Sequence, residues 1–197
     1  QYMYATKGSQ IWMESGAISE VSMSQVERFG ILVDKQYFNF NAAHFLIFAD
    51  GTREELHGHN YHLAIDLEGN LGEGSLVVDF IPFKPMVKSI CDSLDHKFLL
   101  QMDSRVLSID DDGSHFNIRY KEEPPYRLPK HDVAALPIDN TTAERLSEYI
   151  AGLLCGQLAA EAPSGLCRLR VGVEEMTGQA GWYETELAPP STDGSGG

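Results

Sequence analysis

The segment that decides the fold is "FNFNAAHFLIFADGTREELHGHNYHLAIDL", which spans residues 38–67. Apolar and polar side chains alternate from Phe38 to Ala43, and they alternate again from His57 to Leu67. A period of two is typical of a β-strand with one buried face. The segment therefore predicts two strands joined by a loop, with histidines where each strand meets that loop.

Two helices are predicted after these strands. Apolar residues recur at helical spacing from Phe83 to Leu94, with the nearby prolines tolerated only near the helix start. A second helical pattern runs over 143–154, behind a T-x-x-E capping box formed by Thr141 and Glu144.

Alternation over 167–173 and the stretch "GWYETEL" after a glycine turn predict two final strands. Between the helices, residues 101–139 show no helical period and contain a hairpin-like "LSIDDDGSHFNIRY" with an Asp-Gly turn signal. We expect 101–139 to be a surface insertion rather than core, either a lid or an oligomer contact.

The whole chain of 197 residues fits a single domain over 29–188, an N-terminal arm over 1–28 and a flexible tail over 189–197. A hydrophobic content of 43% and a net charge of −14 are those of a soluble protein without nucleic-acid or anionic-membrane partners. No apolar run is long enough to span a membrane, and the N-terminus does not look like a signal peptide. The three cysteines form no CxxC pair, so we expect reduced thiols and a cytoplasmic location.

Three histidines share the core-facing parity of the first two strands: His44, His57 and His59. A lone histidine there would be a core residue with a satisfied hydrogen bond, but three on one face indicate metal ligation. Three imidazoles with an open fourth position are typical of catalytic rather than structural zinc, although iron or nickel would accept them too. His62 has the opposite parity and is not expected to ligate.

Two further sites carry acidic side chains. Glu175 continues the inward parity of the strand over 167–173, so it is either paired internally or faces a pocket at the strand end, where it could orient a nitrogen heterocycle. Asp95 and His96 follow the first helix; they form either a helix-end pair or a carboxylate-tuned acid–base group.

Six motifs together resemble the 6-pyruvoyltetrahydropterin synthase and 6-carboxytetrahydropterin synthase family in order and spacing, from about Val33 to Leu187 without the insertion. They are "FNFNAAH", "LHGHNYHLAIDLEG", "VVDF", "LDHKFL", "NTTAE" and "VEEMTGQAGWY". The resemblance implies an α+β tunnelling fold: a four-stranded antiparallel sheet with two helices on one face, and here an insertion before the second helix. It also implies a homohexamer of two stacked trimers with sites between subunits.

The same resemblance implies residue roles and a pterin substrate, 7,8-dihydroneopterin triphosphate. Zinc ligands are matched by His44, His57 and His59. The glutamate that anchors the pterin ring is matched by Glu175, with Thr141 and Thr142 beside it. Two members of the proton-shuttling triad are matched by Asp95 and His96.

The third triad member departs from the family pattern. The family usually has cysteine four residues before the first histidine of HGH, and here that position is Arg53. Glu54 instead forms an E-x-x-H-G-H pattern, which resembles the branch that has glutamate in place of the cysteine. Strand parity extended backwards from His57 would point Glu55 at the metal, but "ADGTRE" looks like a loop, and so the motif favours Glu54 as the base.

We therefore expect a zinc-dependent, pterin-forming lyase that cleaves the side chain to 6-hydroxymethyl-7,8-dihydropterin for folate synthesis. Alternatives are 6-pyruvoyl- or 6-carboxytetrahydropterin synthase activity, a non-catalytic pterin-binding paralogue, or a lyase for another pterin. For the last, six basic residues are candidate phosphate contacts: Arg53, Lys97, Arg119, Lys121, Arg127 and Lys130.

Overall fold

The computed structural model describes residues 28–161 and 165–187, so the predicted tail and all of the predicted arm except Arg28 lie outside the described residues. The strands are β1 (Phe29–His44), β2 (His57–Gly69), β3 (Lys97–Gln101), β4 (Leu107–Asp111), β5 (His115–Tyr120), β6 (Tyr126–Pro129), β7 (Val133–Leu136), β8 (Leu166–Met176) and β9 (Gln179–Glu186). The α-helices are α1 (Phe80–Leu94) and α2 (Ala143–Glu161).

The main sheet has the strand order β7-β3-β1-β2-β8-β9. Its antiparallel part, β1-β2-β8-β9, is the predicted four-stranded sheet. Two short strands extend it beyond the prediction: β3 pairs in parallel with β1, and β7 pairs in parallel with β3. The described sheet is therefore six-stranded, because β3, at the start of the predicted insertion, and β7, near its end, are added beside β1.

Both helices pack on one face of the sheet, as predicted, and their apolar stripes close the main core. The predicted alternation is present: Phe38 and Phe40 of β1 are fully buried, as is every second residue of β2 from Tyr61 to Leu67. The helices contribute Phe83, Val87, Ile90, Cys91, Leu94, Leu146, Ile150 and Leu154. Burial of so many aliphatic and aromatic side chains, at about 1.5–3 kcal/mol each, is the main favourable contribution to folding.

The insertion folds into a second sheet, β4-β5-β6, which we call the accessory sheet. The predicted Asp-Gly turn joins β4 to β5, and Gly113 takes the left-handed backbone that the turn requires, with φ of 90°. The inner face of the accessory sheet contributes to a second core, which includes Phe45. The other buried members of this core are Phe98, Leu100, Leu107, Phe116, Ile118, Tyr120 and Val133. The expectation of surface rather than core is therefore wrong for this inner face, which packs against the main domain.

Helix α2 begins one residue later than the predicted capping box requires. Thr142 Oγ1 accepts a hydrogen bond from the Arg145 amide at 3.3 Å, so Thr142 is the cap. Thr141 is fully buried, and its hydroxyl donates to the Phe45 carbonyl at 3.1 Å. The prediction of a Thr141–Glu144 capping box was wrong, because the Thr141 hydroxyl is bound to the carbonyl of Phe45, just after the end of β1.

The start of α2 lies unusually close to β9. A Cβ atom on Gly181 would lie 2.7 Å from the Glu144 amide nitrogen, and Ser147 Oγ donates to the Gly181 carbonyl at 3.2 Å. Only glycine allows this approach without displacement of the helix start.

The predicted free thiols are observed, since Cys91, Cys155 and Cys167 form no disulfide. Cys91 is fully buried in the main core, whereas the other two are half-buried. Within the described ranges, no helix is both long and apolar enough to cross a membrane.

Candidate active site

The ends of β1 and β2 bring three histidines together. His44 closes β1 and pairs in register with His57, while His59 pairs with Ala42. Because all three have the same strand parity, their rings converge on one side of the sheet, with centroids 4.7–5.1 Å apart. One ring nitrogen from each lies within 4.8 Å of the others, so the three residues could hold a metal ion.

The hydrogen bonds of the rings determine which nitrogens are available. His44 Nδ1 faces the Thr141 carbonyl at 3.1 Å, and His57 Nδ1 faces the Glu55 carbonyl at 2.8 Å. Since each Nδ1–H donates to a backbone carbonyl, each Nε2 is left as an acceptor. His44 Nε2 is buried and has no hydrogen-bond partner among the described residues, and the Nε2 atoms of His57 and His59 lie 2.9 Å apart.

These three nitrogen ligands fit a tetrahedrally coordinated cation such as Zn²⁺. Nitrogens bound at the usual zinc distance are separated by roughly 3.3 Å, close to what two of the rings already show. The fit also accounts for the buried Nε2 of His44, which would otherwise lose its hydration without compensation. His62, as predicted, is not part of the cluster and instead contacts Asp34 at 2.6 Å.

The protonation of the cluster favours cation binding. Burial, followed by the neighbouring His57 and His59, lowers the pKa of His44 from 6.5 to about 4. Burial and His57 also lower the pKa of His59, with Glu54 acting in the opposite direction. The imidazoles of His44 and His59 are therefore neutral near pH 7, the state in which imidazole ligates a metal.

Glu54 is the carboxylate beside the histidines. Its Oε2 lies 3.9 Å from Nδ1 of His57 and accepts from the Leu46 amide at 3.2 Å. Glu55 is exposed, and its backbone carbonyl rather than its side chain contacts His57. Strand parity was wrong here because β2 begins only at His57, so residues 54 and 55 belong to a loop.

Glu175 lies on β8 at a register shift between Glu174 and Met176. Burial, then the carboxylates of Glu144 and Glu54, raises its pKa, while His57 opposes the shift. Among the described residues, Glu175 has no ion-pair partner, so the internally paired alternative has no support in these parts of the chain.

Tyr61 is a residue that the sequence reading assigned only to the core. It is fully buried and packs edge-on against His44 and His59, and its hydroxyl has no hydrogen-bond partner in the part of the chain that the structure describes. Burial, together with Glu175 and Glu54, raises the pKa of Tyr61, which keeps the hydroxyl protonated. The sequence could have indicated this position, because Tyr61 has the same strand parity as His57 and His59 on β2.

Of the two predicted threonines, Thr141 is in direct contact with the histidine cluster. Thr141 contacts the cluster from behind, because both its carbonyl and its hydroxyl face His44 Nδ1. Thr142 is half-buried and is the threonine of the pair with side-chain surface left for a ligand.

Asp95 and His96 form a contact of 2.8 Å, with Asp95 also accepting from the Asn41 amide at 2.7 Å. The hydrogen bond from the Asn41 amide lowers the pKa of Asp95; burial opposes this shift, and His96 lowers the pKa further. The His96 side chain is 79% exposed. His96 and His59 line one open groove, but no hydrogen bond or ion pair described for this chain joins the pair to the three histidines.

Most basic residues predicted as phosphate contacts have partners within the chain. Lys97 donates to the His131 carbonyl, Arg127 pairs with Asp112, and Lys130 pairs with Asp111. Arg53 is largely buried and pairs with Glu123. Arg119 and Lys121 are exposed.

Comparison with known proteins identifies a family that matches this chain. The sequence model described as "6-pyruvoyl tetrahydropterin synthase" matches residues 33–186. The chain is 34% identical over 151 residues to the "Putative 6-carboxy-5,6,7,8-tetrahydropterin synthase" of Methanocaldococcus jannaschii, which covers 75% of this chain and 90% of that protein. A shorter match of 61 residues, 38% identical, is to the "Dihydroneopterin monophosphate aldolase" of Pyrococcus furiosus and covers 31% of this chain and 51% of that protein.

Solved structures that resemble this chain carry the same family name. The crystal structure of 6-pyruvoyl tetrahydropterin synthase from Plasmodium vivax superimposes with a TM-score of 0.76 at 32% identity, covering 82% of this chain and 99% of that one. Two variants of the P. vivax enzyme, in which a glutamate called a catalytic residue is replaced by alanine or by cysteine, superimpose with TM-scores of 0.75 at the same identity and coverage.

Proposed function

Because the chain belongs to the 6-pyruvoyl tetrahydropterin synthase family and is thus a pterin lyase, we propose that it cleaves the side chain of 7,8-dihydroneopterin triphosphate to give 6-hydroxymethyl-7,8-dihydropterin. The single observation that carries the proposal is the position of Glu54, whose carboxylate lies 3.9 Å from His57 at the edge of the histidine cluster. No cysteine lies in this loop: Arg53 is at the family's usual cysteine position, and the adjacent Glu54 offers a carboxylate as the base instead.

The metal set of the proposal is His44, His57 and His59, with Zn²⁺ as the ion that these three neutral imidazoles suit best. When bound, zinc supplies a Lewis acid that polarises substrate oxygens and lowers the pKa of a hydroxyl. The protein holds two of the rings in the ligating tautomer through the carbonyls of Thr141 and Glu55.

In the proposed reaction Glu54 removes the proton of the C2′ hydroxyl. The C1′–C2′ bond then breaks: C2′ becomes the carbonyl carbon of an aldehyde that keeps the triphosphate, and the bond's electron pair passes into the C6=N5 imine of the dihydropterin ring. A proton delivered to C1′ restores that imine and leaves a hydroxymethyl group. One proton is removed and one is added, so no oxidant or reductant is needed.

Glu175 is the proposed anchor of the pterin ring. Burial and then the charges of Glu144 and Glu54 raise the pKa of its carboxyl, and the opposing effect of His57 is smaller. A pterin offers two adjacent N–H donors, from the ring and from the 2-amino group, which match the two oxygens of a carboxylate. Ring binding would therefore compensate an electrostatic penalty already present in the free site.

The P. vivax variants support the assignment of Glu54, because a glutamate is called a catalytic residue in that relative. The test is a product-resolved assay of zinc-loaded protein with 7,8-dihydroneopterin triphosphate, comparing Glu54→Gln with Glu55→Gln. We expect a loss of turnover on the order of 10²–10⁴-fold in the first variant, as for removal of a general base, and near-normal turnover in the second. Equal and unimpaired turnover in both would remove the carboxylate from the mechanism.

A second candidate is formation of 6-pyruvoyl- or 6-carboxytetrahydropterin, the activities for which the family and the M. jannaschii relative are named. The same assay distinguishes the reactions, since elimination releases inorganic triphosphate whereas side-chain cleavage leaves it on the two-carbon aldehyde. Substrate that binds but is returned unchanged would instead support a binding role alone.

The position of Asp95 and His96 supports a hexameric assembly with sites between subunits. This pair makes no described contact with its own histidine cluster, and several large apolar side chains of the described chain are exposed, among them Leu32, Ile81, Met176 and Trp182. Mass measurement in solution tests the assembly. Mixed hexamers of His59→Ala and His96→Ala chains would regain part of the activity if one subunit supplies the pair to the metal site of another.

A further inference from the structure

Arg53 occupies the position of the family's usual cysteine, yet it does not face the histidines. Its guanidinium lies among three aromatic rings, 5.3 Å from Phe45, 5.6 Å from Tyr120 and 5.7 Å from Tyr126. Nη2 donates to Glu123 at 3.0 Å, and the Arg53 side chain is only 10% exposed. This set of Phe45, Tyr120, Glu123 and Tyr126 around Arg53 we call the Arg53 clamp.

Most of the clamp comes from the accessory sheet and its connections. Tyr120 ends β5, Tyr126 begins β6, and Glu123 lies in the turn between them. The Tyr120 hydroxyl also donates to the Gly51 carbonyl at 2.8 Å, two residues before Arg53. The accessory sheet therefore holds the loop that carries Glu54 at two points, one through a carbonyl and one through a guanidinium.

The clamp transmits this restraint directly to Glu54. Nη1 of Arg53 donates to the Glu54 carbonyl at 2.8 Å, while the Glu54 amide donates to the Leu46 carbonyl at 2.9 Å. The backbone of Glu54 is thus fixed on both its carbonyl and its amide side, and its carboxylate also accepts from the Leu46 amide at 3.2 Å. Such fixation matters because a general base acts only within hydrogen-bond reach of its proton.

A direct phosphate contact is the competing role for Arg53. Both terminal nitrogens already donate to acceptors of the chain, and the three rings leave little of the guanidinium accessible. A planar guanidinium stacked on aromatic rings and bonded through its fork is typical of a structural anchor, and lysine cannot reproduce that geometry.

We propose that Arg53 is a positioning residue through which the accessory sheet holds the Glu54 carboxylate at the histidine cluster. The proposal deepens the function proposed above and rests on Glu54 as the base. It gives the insertion a defined role: its inner face sets the geometry of the reacting carboxylate, rather than covering the substrate as a lid.

The test combines kinetics with amide hydrogen exchange on the full, zinc-loaded chain. In Arg53→Ala we expect kcat to fall on the order of 10- to 100-fold, the effect of a misplaced catalytic group. We expect KM to stay within about threefold, because the variant removes no proposed substrate contact. Zinc content should match the unaltered protein.

Hydrogen exchange supplies a readout that does not depend on turnover. We expect the amides of residues 46–54 to exchange about tenfold faster in Arg53→Ala, with the β2 amides unchanged. Tyr120→Phe, which keeps the ring but loses the bond to Gly51, should accelerate the same amides by a smaller factor. Arg53→Lys should behave more like Arg53→Ala than like the unaltered chain.

Arg105→Ala is the matched control, since it removes an exposed guanidinium from the same insertion away from the clamp. It should leave both exchange and kinetics unchanged. Unchanged exchange of residues 46–54 in Arg53→Ala overturns the proposal, and a rise in KM without a fall in kcat assigns Arg53 to substrate binding instead. If the unaltered protein has no lyase activity, the function proposed above fails, while the exchange measurements still decide whether the clamp exists.

Discussion

The Nε2 atoms of His57 and His59 face each other at 2.9 Å, although imidazole nitrogens in the acceptor state repel one another. Either a hydrogen bond from the His59 tautomer protonated on Nε2 or a cation bound by both nitrogens makes this approach favourable, and the nearby buried Nε2 of His44 offers a third ligand atom.

Zinc binding is the first prediction. We expect one zinc per chain by elemental analysis, and a rise in stability of about 2.7 kcal/mol when free zinc is 100-fold above its dissociation constant. His57→Ala and His59→Ala should lose the metal and the stabilisation. His62→Ala should keep both, because His62 contacts Asp34 outside the cluster; equal metal loss in His62→Ala would contradict the assignment.

Pterin affinity should depend on the charge of Glu175. Glu175→Gln keeps the size of the side chain but replaces one acceptor oxygen by a donor, so we expect the dissociation constant to rise about 10- to 100-fold, equivalent to one charged hydrogen bond. Calorimetry or pterin fluorescence measures this. The matched control is Glu174→Gln, since Glu174 accepts from the Gly178 amide in the β8–β9 turn.

Gly181→Ala should disturb the start of α2. The added methyl would lie 2.7 Å from the Glu144 amide and 2.8 Å from the Ala143 carbonyl carbon, so the helix start must move. We expect a destabilisation of about 1–3 kcal/mol in denaturant unfolding, together with weaker pterin binding beside Thr142. Gly172→Ala is the control, because its nearest contact would be an ordinary 3.7 Å; equal effects of the two changes would refute this explanation.

The stability of the fold should decrease at alkaline pH because Cys91 is buried. Burial raises the pKa of the Cys91 thiol from 9.0 to about 11, with Lys88 opposing the shift. Below pH 9 the thiol is protonated in both folded and unfolded chains, so its contribution is fully present. As pH rises towards 11 the unfolded chain ionises first, and about 2–3 kcal/mol of stability should be lost.

Urea unfolding of the intact protein and of Cys91→Ala at pH 8 and pH 11 checks the Cys91 prediction. The variant has a lower stability throughout because of its cavity, but it should lack the additional loss at pH 11. An identical pH dependence in the two proteins would mean that the thiol ionises as readily in the folded state as in the unfolded one.

The sequence predicted the features that depend on local periodicity. Phe38, Phe40, Leu63 and Ile65 are buried because strand alternation and burial on one face are the same physical constraint. The convergence of the histidines followed from that alternation as well, since strand neighbours of equal parity must lie on one face.

Other features depend on contacts distant in sequence and could not be predicted in this way. Thr141 is a residue type that often caps helices, but its hydroxyl instead donates to the carbonyl of Phe45, 96 residues away along the chain. The parallel pairing of β3 with β7 follows from no pattern within either strand. The environment of Arg53 likewise required knowing which residues of the insertion fold back onto the loop.

The chain leaves the main sheet after Gln101 and re-enters it at Val133, on a strand that is hydrogen-bonded directly to the one it left. Because β3 and β7 run parallel, Val133 lies opposite Phe98 and Gln101 lies opposite Leu136, so the segment between the strands is a crossover that a tight turn could not replace. Removal of this crossover would also strip the apolar cover from Phe45 and the counter-charge from Arg53.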